Sequence, residues 1–215
     1  MCGIAGYFGK ELKDEAIIER TFKTLHHRGP DSKGIYHVSD DLSNNLYLLH
    51  TRLNILDVEK RSNQPYRLGS FTLIFNGEIY NYLEIKALLL KEGINFDTTG
   101  DTEVLARALV QWGIDATLDR LEGMWAFAFY NKNSGNLYLC RDRFGEKPLY
   151  FTNQNDGIYF SSETKSLFQL LGRRLDFNFD QIHRYLINGY KSIYKHNSTF
   201  YNKVQEVSQG QWVRS

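Results

Sequence analysis

The sequence predicts an α+β protein, with strands layered together and helices on their outer faces. Short apolar runs bounded by glycine and polar turns recur along the chain, as strands do. Between them lie longer stretches whose apolar residues fall at helical spacing. The 215 residues are 42% hydrophobic and 14% aromatic, enough to bury the core of one large domain, or of one domain plus a short appendage.

Taken in order, CGIAGYF is short, apolar and glycine-spaced, and reads as a buried strand. From Glu11 to Leu25, Leu12, Ala16, Ile17, Phe22 and Leu25 recur near helical spacing. HHRGPD follows as a turn, because Gly29 and Pro30 break a helix. NLYLLHTRL and FTLIFNG read as strands. YLEIKALLLKEG and DTEVLARALVQWG read as helices closed by Gly93 and Gly113. MWAFAFYNKNSGNLYLCRD is a hairpin turning at residues 132–135, and KPLYF with GIYFSS is a further strand pair. ETKSLFQLL reads as a helix. After Arg174 the texture changes: LDFNFDQIHRYLINGY holds one helix, and HNSTFYNKVQEVSQGQWV ends in a strand-like run that looks like a connection to something further. The chain has no repeats and no low-complexity segment.

The formal net charge is +1, which gives no electrostatic case for nucleic acid or an anionic membrane. Two cysteines, Cys2 and Cys140, make no disulfide framework, and no Cys/His cluster has zinc spacing, so no metal site is expected. The N-terminus lacks the basic start and apolar core of a signal peptide, and no run of about 18 apolar residues is present. A soluble protein of the reducing cytoplasm is expected.

Cys2 poses the chemical question. Cysteine is small enough for the methionine ahead of it to be removed, which would give Cys2 a free α-amine titrating near pH ~7.7–8.0. One residue would then supply nucleophile and base, as in N-terminal-nucleophile enzymes; otherwise Cys2 simply begins a buried strand. HHRGPD, HTRLNILD, FNGEIYN and TTGDTEV each set polar or charged residues at a strand end or helix start, where sites are built. Each also has an ordinary explanation: Arg52 a surface arginine, NGE a turn, Asp101 a helix N-cap, Arg28 a structural clamp. Cys140 reads as a core residue.

Read together, CGIAG, HRGPD, HTRLNILD, NGEIYN, TGDTEV, GMWAFAFY, RDRFGEKPLYF and SSETKSL resemble, in order and spacing, the glutaminase domain of class II glutamine amidotransferases, in the asparagine synthetase B-like branch. TRLNILDVEKRSNQP is similar to that branch after Arg52, with NQP matching its usual turn.

The resemblance implies a four-layer αββα sandwich of antiparallel sheets, the N-terminal-nucleophile hydrolase fold. It implies that Cys2 attacks the side-chain amide of free glutamine, giving a thioester and ammonia, with its own α-amine as the base. Asn76 and the Gly77 N–H would be the oxyanion donors, and Gly77 would let substrate approach the backbone closely. Arg52 would grip the substrate carboxylate with a bidentate fork. Asp101, helped by Glu78, would hold the ammonium, and Leu53 and Ile55 would add backbone contacts. Arg28, Gly29, Pro30 and Asp31 would form a supporting turn, with a direct role for Asp31 as the alternative. His26, His27 and His50 would position loops, and RDRFGEKPLYF would lie near the face where ammonia leaves.

Residues 1–175 would form the glutaminase domain, and 176–215 a terminal segment leading to a synthetase-type domain, in the full-length chain or in a partner chain. No SGGxDS loop occurs, so ATP and Mg are expected only of that other domain, and no cofactor is expected in this one. The chain would then be an excised domain, a truncated product or a free-standing glutaminase. Nothing in the residues distinguishes aspartate, a sugar or another ammonia acceptor. Two rivals from other classes are a catalytically degenerate domain that binds a metabolite or partner, and an N-terminal-nucleophile hydrolase of another amide. The joint presence of Cys2, Arg52, Asn76, Gly77 and Asp101 opposes the first, and the Arg52/Asp101 charge pair opposes the second.

Overall fold

In the computed structural model, which describes residues 1–39, 44–190 and 198–215, two antiparallel sheets are stacked and helices cover both outer faces. The elements are β1 (Gly3–Gly9), α1 (Glu15–Leu25), β2 (Ser32–Ser39), β3 (Asn45–Arg52), β4 (Tyr66–Leu68), β5 (Phe71–Ile79), α2 (Tyr82–Lys91), α3 (Asp101–Trp112), α4 (Ile114–Arg120), β6 (Gly123–Asn131), β7 (Asn136–Arg141), β8 (Tyr150–Gln154), β9 (Gly157–Ser161), α5 (Thr164–Leu171), α6 (Phe179–Asn188), β10 (Gln205–Glu206) and β11 (Trp212–Arg214). The six-stranded sheet runs β10-β8-β9-β1-β3-β2 and the five-stranded sheet β11-β7-β6-β5-β4.

The pleat explains the layers. In β6, Ala126, Ala128 and Tyr130 point into the space between the sheets, while Trp125, Phe127 and Phe129 point outward to α2 and α3. In β1 and β3, Ile4, Leu46 and Leu48 face the inter-sheet core, and Ala5, Tyr7, Tyr47 and Leu49 face α1 and α5. β3 is therefore buried along its whole length. Each large side chain sealed in this way, Phe127 and Phe160 among them, contributes about 1.5–3 kcal/mol of burial free energy.

The expected αββα order is present, with some boundaries moved. α1 starts at Glu15, not Glu11, because the Asp14 carboxylate accepts the Ala16 N–H at 2.9 Å and caps it; Leu12 lies outside the helix and is exposed. Asn76–Gly77–Glu78 do not turn but continue β5, opposite Ala126, Trp125 and Met124 of β6. α2 and α3 end beside Gly93 (φ +85°) and Gly113 (φ +78°), as expected. The stretch 176–215 adds a strand to each sheet: β10 pairs with β8, and β11 with β7. Residues 196 and 197, at the start of the tail run, lie outside the described residues. No described helix is long and apolar enough to cross a membrane.

Candidate active site

The same two-residue period that builds the inter-sheet core also builds the site. Cys2 follows the parity of Ile4, Arg52 that of Leu46 and Leu48, and Asn76 and Glu78 that of Ile74. At this end of the sandwich the inward positions change from apolar to polar, and a cavity of about 140 Å³ opens. Antiparallel register closes the sequence gaps: Gly3 lies opposite Thr51, so Cys2 falls beside the end of β3. A cross-sheet bond from the His50 ring to the Phe75 carbonyl (Nε2–O 3.2 Å) ties β3 to β5 immediately before Asn76. Burial pushes His50 down to about 3, so the ring is neutral and Nε2 carries the proton.

Cys2, Arg52, Leu53, Ile55, Asn76, Gly77, Glu78 and Asp101 all line this one cavity. The Leu53 N–H points at Cys2 Sγ (3.4 Å), and the thiol also lies 3.7 Å from the Leu53 carbonyl oxygen. Burial pushes the Cys2 thiol up; the Leu53 amide, the nearby N-terminal ammonium and Arg52 pull the other way without cancelling it. The thiol is therefore protonated at rest, and a base is needed to activate it. Arg28 Nε donates to the Cys2 carbonyl (2.9 Å), with Glu163 behind it (3.0 Å to Nη1), and His27 meets the same Glu163 oxygen at 2.8 Å. Asp31 accepts the Asn54 N–H at 2.7 Å and does not line the cavity, so HRGPD supports the site from behind. A Cβ on Gly29 would lie 2.4 Å from the Thr51 carbonyl, so only glycine lets the turn pack there.

One expectation is corrected and another gains a second reason. The bidentate fork of Arg52 is not free: Nη1 donates to the Glu59 carbonyl (3.1 Å) and Asn63 Oδ1 (2.7 Å), and Nη2 to the Leu56 (3.2 Å) and Asp57 carbonyls. Nε–H remains, and no ion pair offsets the arginine's charge among the described residues. Gly77 is required by β6 independently of any ligand, since a Cβ there would meet the Met124 carbonyl at 2.2 Å.

At the other end of the charge pattern, Asp101 is not the cap of α3. Gly100 holds that position, and the Asp101 carboxylate turns back to accept the Ile79 N–H at 3.0 Å. Burial, reinforced by Glu78, pushes Asp101 up to about 7, and burial also raises Glu78, against the pull of Lys147. Asn76 is 1% exposed, and its Nδ2 has no hydrogen-bond partner among the described residues. The cavity thus holds a thiol, an unpaired amide donor, two cationic side chains (Arg52 and Lys147) and two carboxylates.

Sequence reasoning did not single out Lys147, Gln64, Thr102 or Met124, which also line the cavity. Lys147 and Gln64 lie inside the noted RDRFGEKPLYF and NQP motifs; Thr102 and Met124 carry no chemical signal. Cys140, fully buried under α3 with its thiol pushed well up, is a core residue as expected.

The chain is 42% identical over 174 residues to asparagine synthetase (glutamine-hydrolysing) 1 of Bacillus subtilis, covering 78% of this chain and 26% of that protein. It is 34% identical over 219 residues to a putative asparagine synthetase (glutamine-hydrolysing) 2 of Methanocaldococcus jannaschii, covering 91% and 41%. It therefore spans between about a quarter and two fifths of the length of these relatives. Among solved structures, the glutamine phosphoribosylpyrophosphate amidotransferase of B. subtilis complexed with ADP and GMP superposes with a TM-score of 0.65 at 22% identity, over 80% of this chain and 44% of that one, a likeness of fold. The family model of the glutamine amidotransferase domain matches residues 1–215, and the chain belongs to that family.

Proposed function

We propose that this domain hydrolyses free glutamine to glutamate and ammonia, with Cys2 as nucleophile, and that the ammonia feeds a synthetase-type unit. The observation that carries the reading is the meeting, in one cavity, of the Cys2 sulfur, the unpartnered Asn76 amide, Arg52 and Asp101. Loss of Met1, which is 55% exposed, would free the α-amine of Cys2. That amine takes the thiol proton, and the thiolate attacks the side-chain carbonyl carbon of glutamine. Asn76 Nδ2 and the Gly77 N–H receive the developing oxyanion. The C–N bond then breaks, the amine returns the proton to the leaving ammonia, and a thioester remains. Water activated by the same amine attacks the thioester, releasing glutamate and restoring the thiol.

Arg52 accounts for the substrate carboxylate in a particular way. Its terminal N–H groups rest on neutral loop carbonyls, and a carboxylate that displaces one or two of them exchanges neutral for charge-assisted hydrogen bonds. Asp101 and Glu78 take the ammonium. Blocking either end of glutamine removes a charge partner, so free glutamine is favoured over glutamine within a peptide. The chemistry requires no metal or cofactor in this domain, and an unoxidised Cys2 suits the cytoplasm. The names of the relatives support a synthetase-type domain, in the same chain or a partner, as the consumer of ammonia.

The test is release of glutamate and ammonia from glutamine, compared with N-acetylglutamine and with Cys2→Ala. The expected result is turnover of free glutamine alone, abolished in the variant. A protein inert towards glutamine, or one that accepts the blocked amide equally well, would overturn the reading.

A further inference from the structure

Lys147 lines the active-site cavity and is 6% exposed, yet no hydrogen bond or ion pair ties down its ammonium among the described residues. Its backbone, by contrast, is gripped from both sides. The carboxylate of Asp142, itself fully buried, accepts the N–H groups of Trp125 (3.2 Å), Phe144 (3.1 Å), Glu146 (2.9 Å) and Lys147 (3.0 Å). Arg141 donates from Nε to the Lys147 carbonyl (2.8 Å) and from Nη2 to the Gly145 carbonyl (2.8 Å), and Glu206 anchors its Nη1 at 2.9 Å. Two charged side chains, the fully buried Asp142 and the partly buried Arg141, thus fix the point from which one lysine enters the cavity. The groups facing Glu78 there are Lys147 from the loop after β7, Asp101 from α3, and Cys2 and Arg52 from the other sheet.

We propose that Lys147 is a positioning residue: from its fixed place in the shared cavity its ammonium keeps Glu78, the carboxylate that shares the substrate's α-ammonium with Asp101, in its charged form. Two carboxylates in one cavity repel, and a cation beside one of them favours its charged form. Lys147 offsets one negative charge, and the arriving α-ammonium offsets the other. The attraction of Glu78 by Lys147, working against burial, is in keeping with this arrangement. The proposal rests on the glutaminase reading for its catalytic consequence, but not for the coupling of Lys147 to Glu78.

The test follows the Glu78 carboxyl by NMR titration in the unliganded domain, and glutamine KM and kcat in parallel, for the parent, Lys147→Met, Lys147→Gln and Lys147→Arg. Loss of the cation should move the Glu78 titration to a pH about one higher. It should also raise KM about tenfold while kcat stays within about threefold. Lys147→Arg should restore most of both, and in a Glu78→Gln background Lys147→Met should change KM no further. Where Lys147→Met unfolds, Lys147→Gln gives the same readout with less change of shape. An unmoved Glu78 titration, or a KM effect that persists in the Glu78→Gln background, would overturn the proposal. If the parent ignores glutamine, the glutaminase reading falls alone, and the titration still decides the role of Lys147.

Discussion

Asp101 and Glu103 leave the first turn of α3 two residues apart, and both are nearly sealed from solvent. Burial pushes both carboxyls up, but for Glu103 the opposing bonds win: it accepts the Asp97 N–H (3.0 Å), the Thr98 N–H (2.6 Å) and Arg107 Nε (2.6 Å), and is held below its ordinary value. Asp101 receives Ile79 from the neighbouring strand, faces Glu78, and rises to about 7. The same contrast separates Arg141, paired with Glu206, from Arg52, which rests on neutral acceptors. It also separates Asp142, with four amides on its oxygens, from Asn76, whose Nδ2 has none. Glu103, Arg141 and Asp142, outside the cavity, are saturated by the chain, whereas Asp101, Arg52 and Asn76, which line it, keep charge or a donor in reserve. That reserve costs stability locally and is what a zwitterionic amide would use.

Breaking the saturated side should cost fold, and breaking the reserved side should cost function. Asp142→Ala leaves four N–H groups unmatched, those of Trp125 and Lys147 buried, and should lose about 3–5 kcal/mol of stability, read as the midpoint of urea unfolding. Asn76→Ala gives up no partner of Nδ2. It should lower kcat about 10²- to 10³-fold with little change in KM and little loss of stability, as steady-state kinetics and a melting curve would show. Arg52→Lys should raise glutamine KM about tenfold, more than it lowers kcat, because ground-state contacts are removed. If the effects of Arg52→Lys and Asn76→Ala on KM and kcat are exchanged, their assigned roles are exchanged too.

The smallest expected effect is the pH dependence of the two α3 carboxyls. Asp101 is raised above its unfolded value, so its folded form favours the proton; the domain loses stability as pH climbs from the ordinary carboxyl range towards about 7. Asp101→Asn should therefore leave the melting temperature at pH 8 unchanged or higher. Glutamine KM should fall as pH rises towards 7, where Asp101 gains the charge that meets the ammonium, and that dependence should weaken in Asp101→Asn. Glu103 is lowered, so its support is present at neutral pH and lost as acid protonates it. Glu103→Gln should lower the melting temperature at pH 7 and converge with the parent in acid.

The layered fold was legible because most strands and helices carry clean periods, and the candidate site residues because they lie in the motifs that carry the family resemblance, CGIAG, HTRLNILD, NGEIYN and TGDTEV. What was missed has physical causes. In β2, Tyr36 and Val38 pack inward, but Ile35 is 48% exposed on an edge strand, which blurs the alternation. β4 and β10 are too short for a period, and α4 is a single seven-residue helix beyond Gly113. The occupied fork of Arg52 was invisible because three of its four acceptors are backbone carbonyls, which every residue type carries, and only the Asn63 amide oxygen is a side chain. The packing reason for Gly77 lies in β6, whose register against β5 is tertiary information.

The account depends on the thiol and the amine of Cys2 acting together. The direct measurement is the intact mass of protein quenched with acid during turnover of glutamine. A species lacking Met1 and carrying one glutamyl group, removable with hydroxylamine and absent from Cys2→Ala, is the predicted result. Full turnover by protein whose mass still includes Met1 would contradict it.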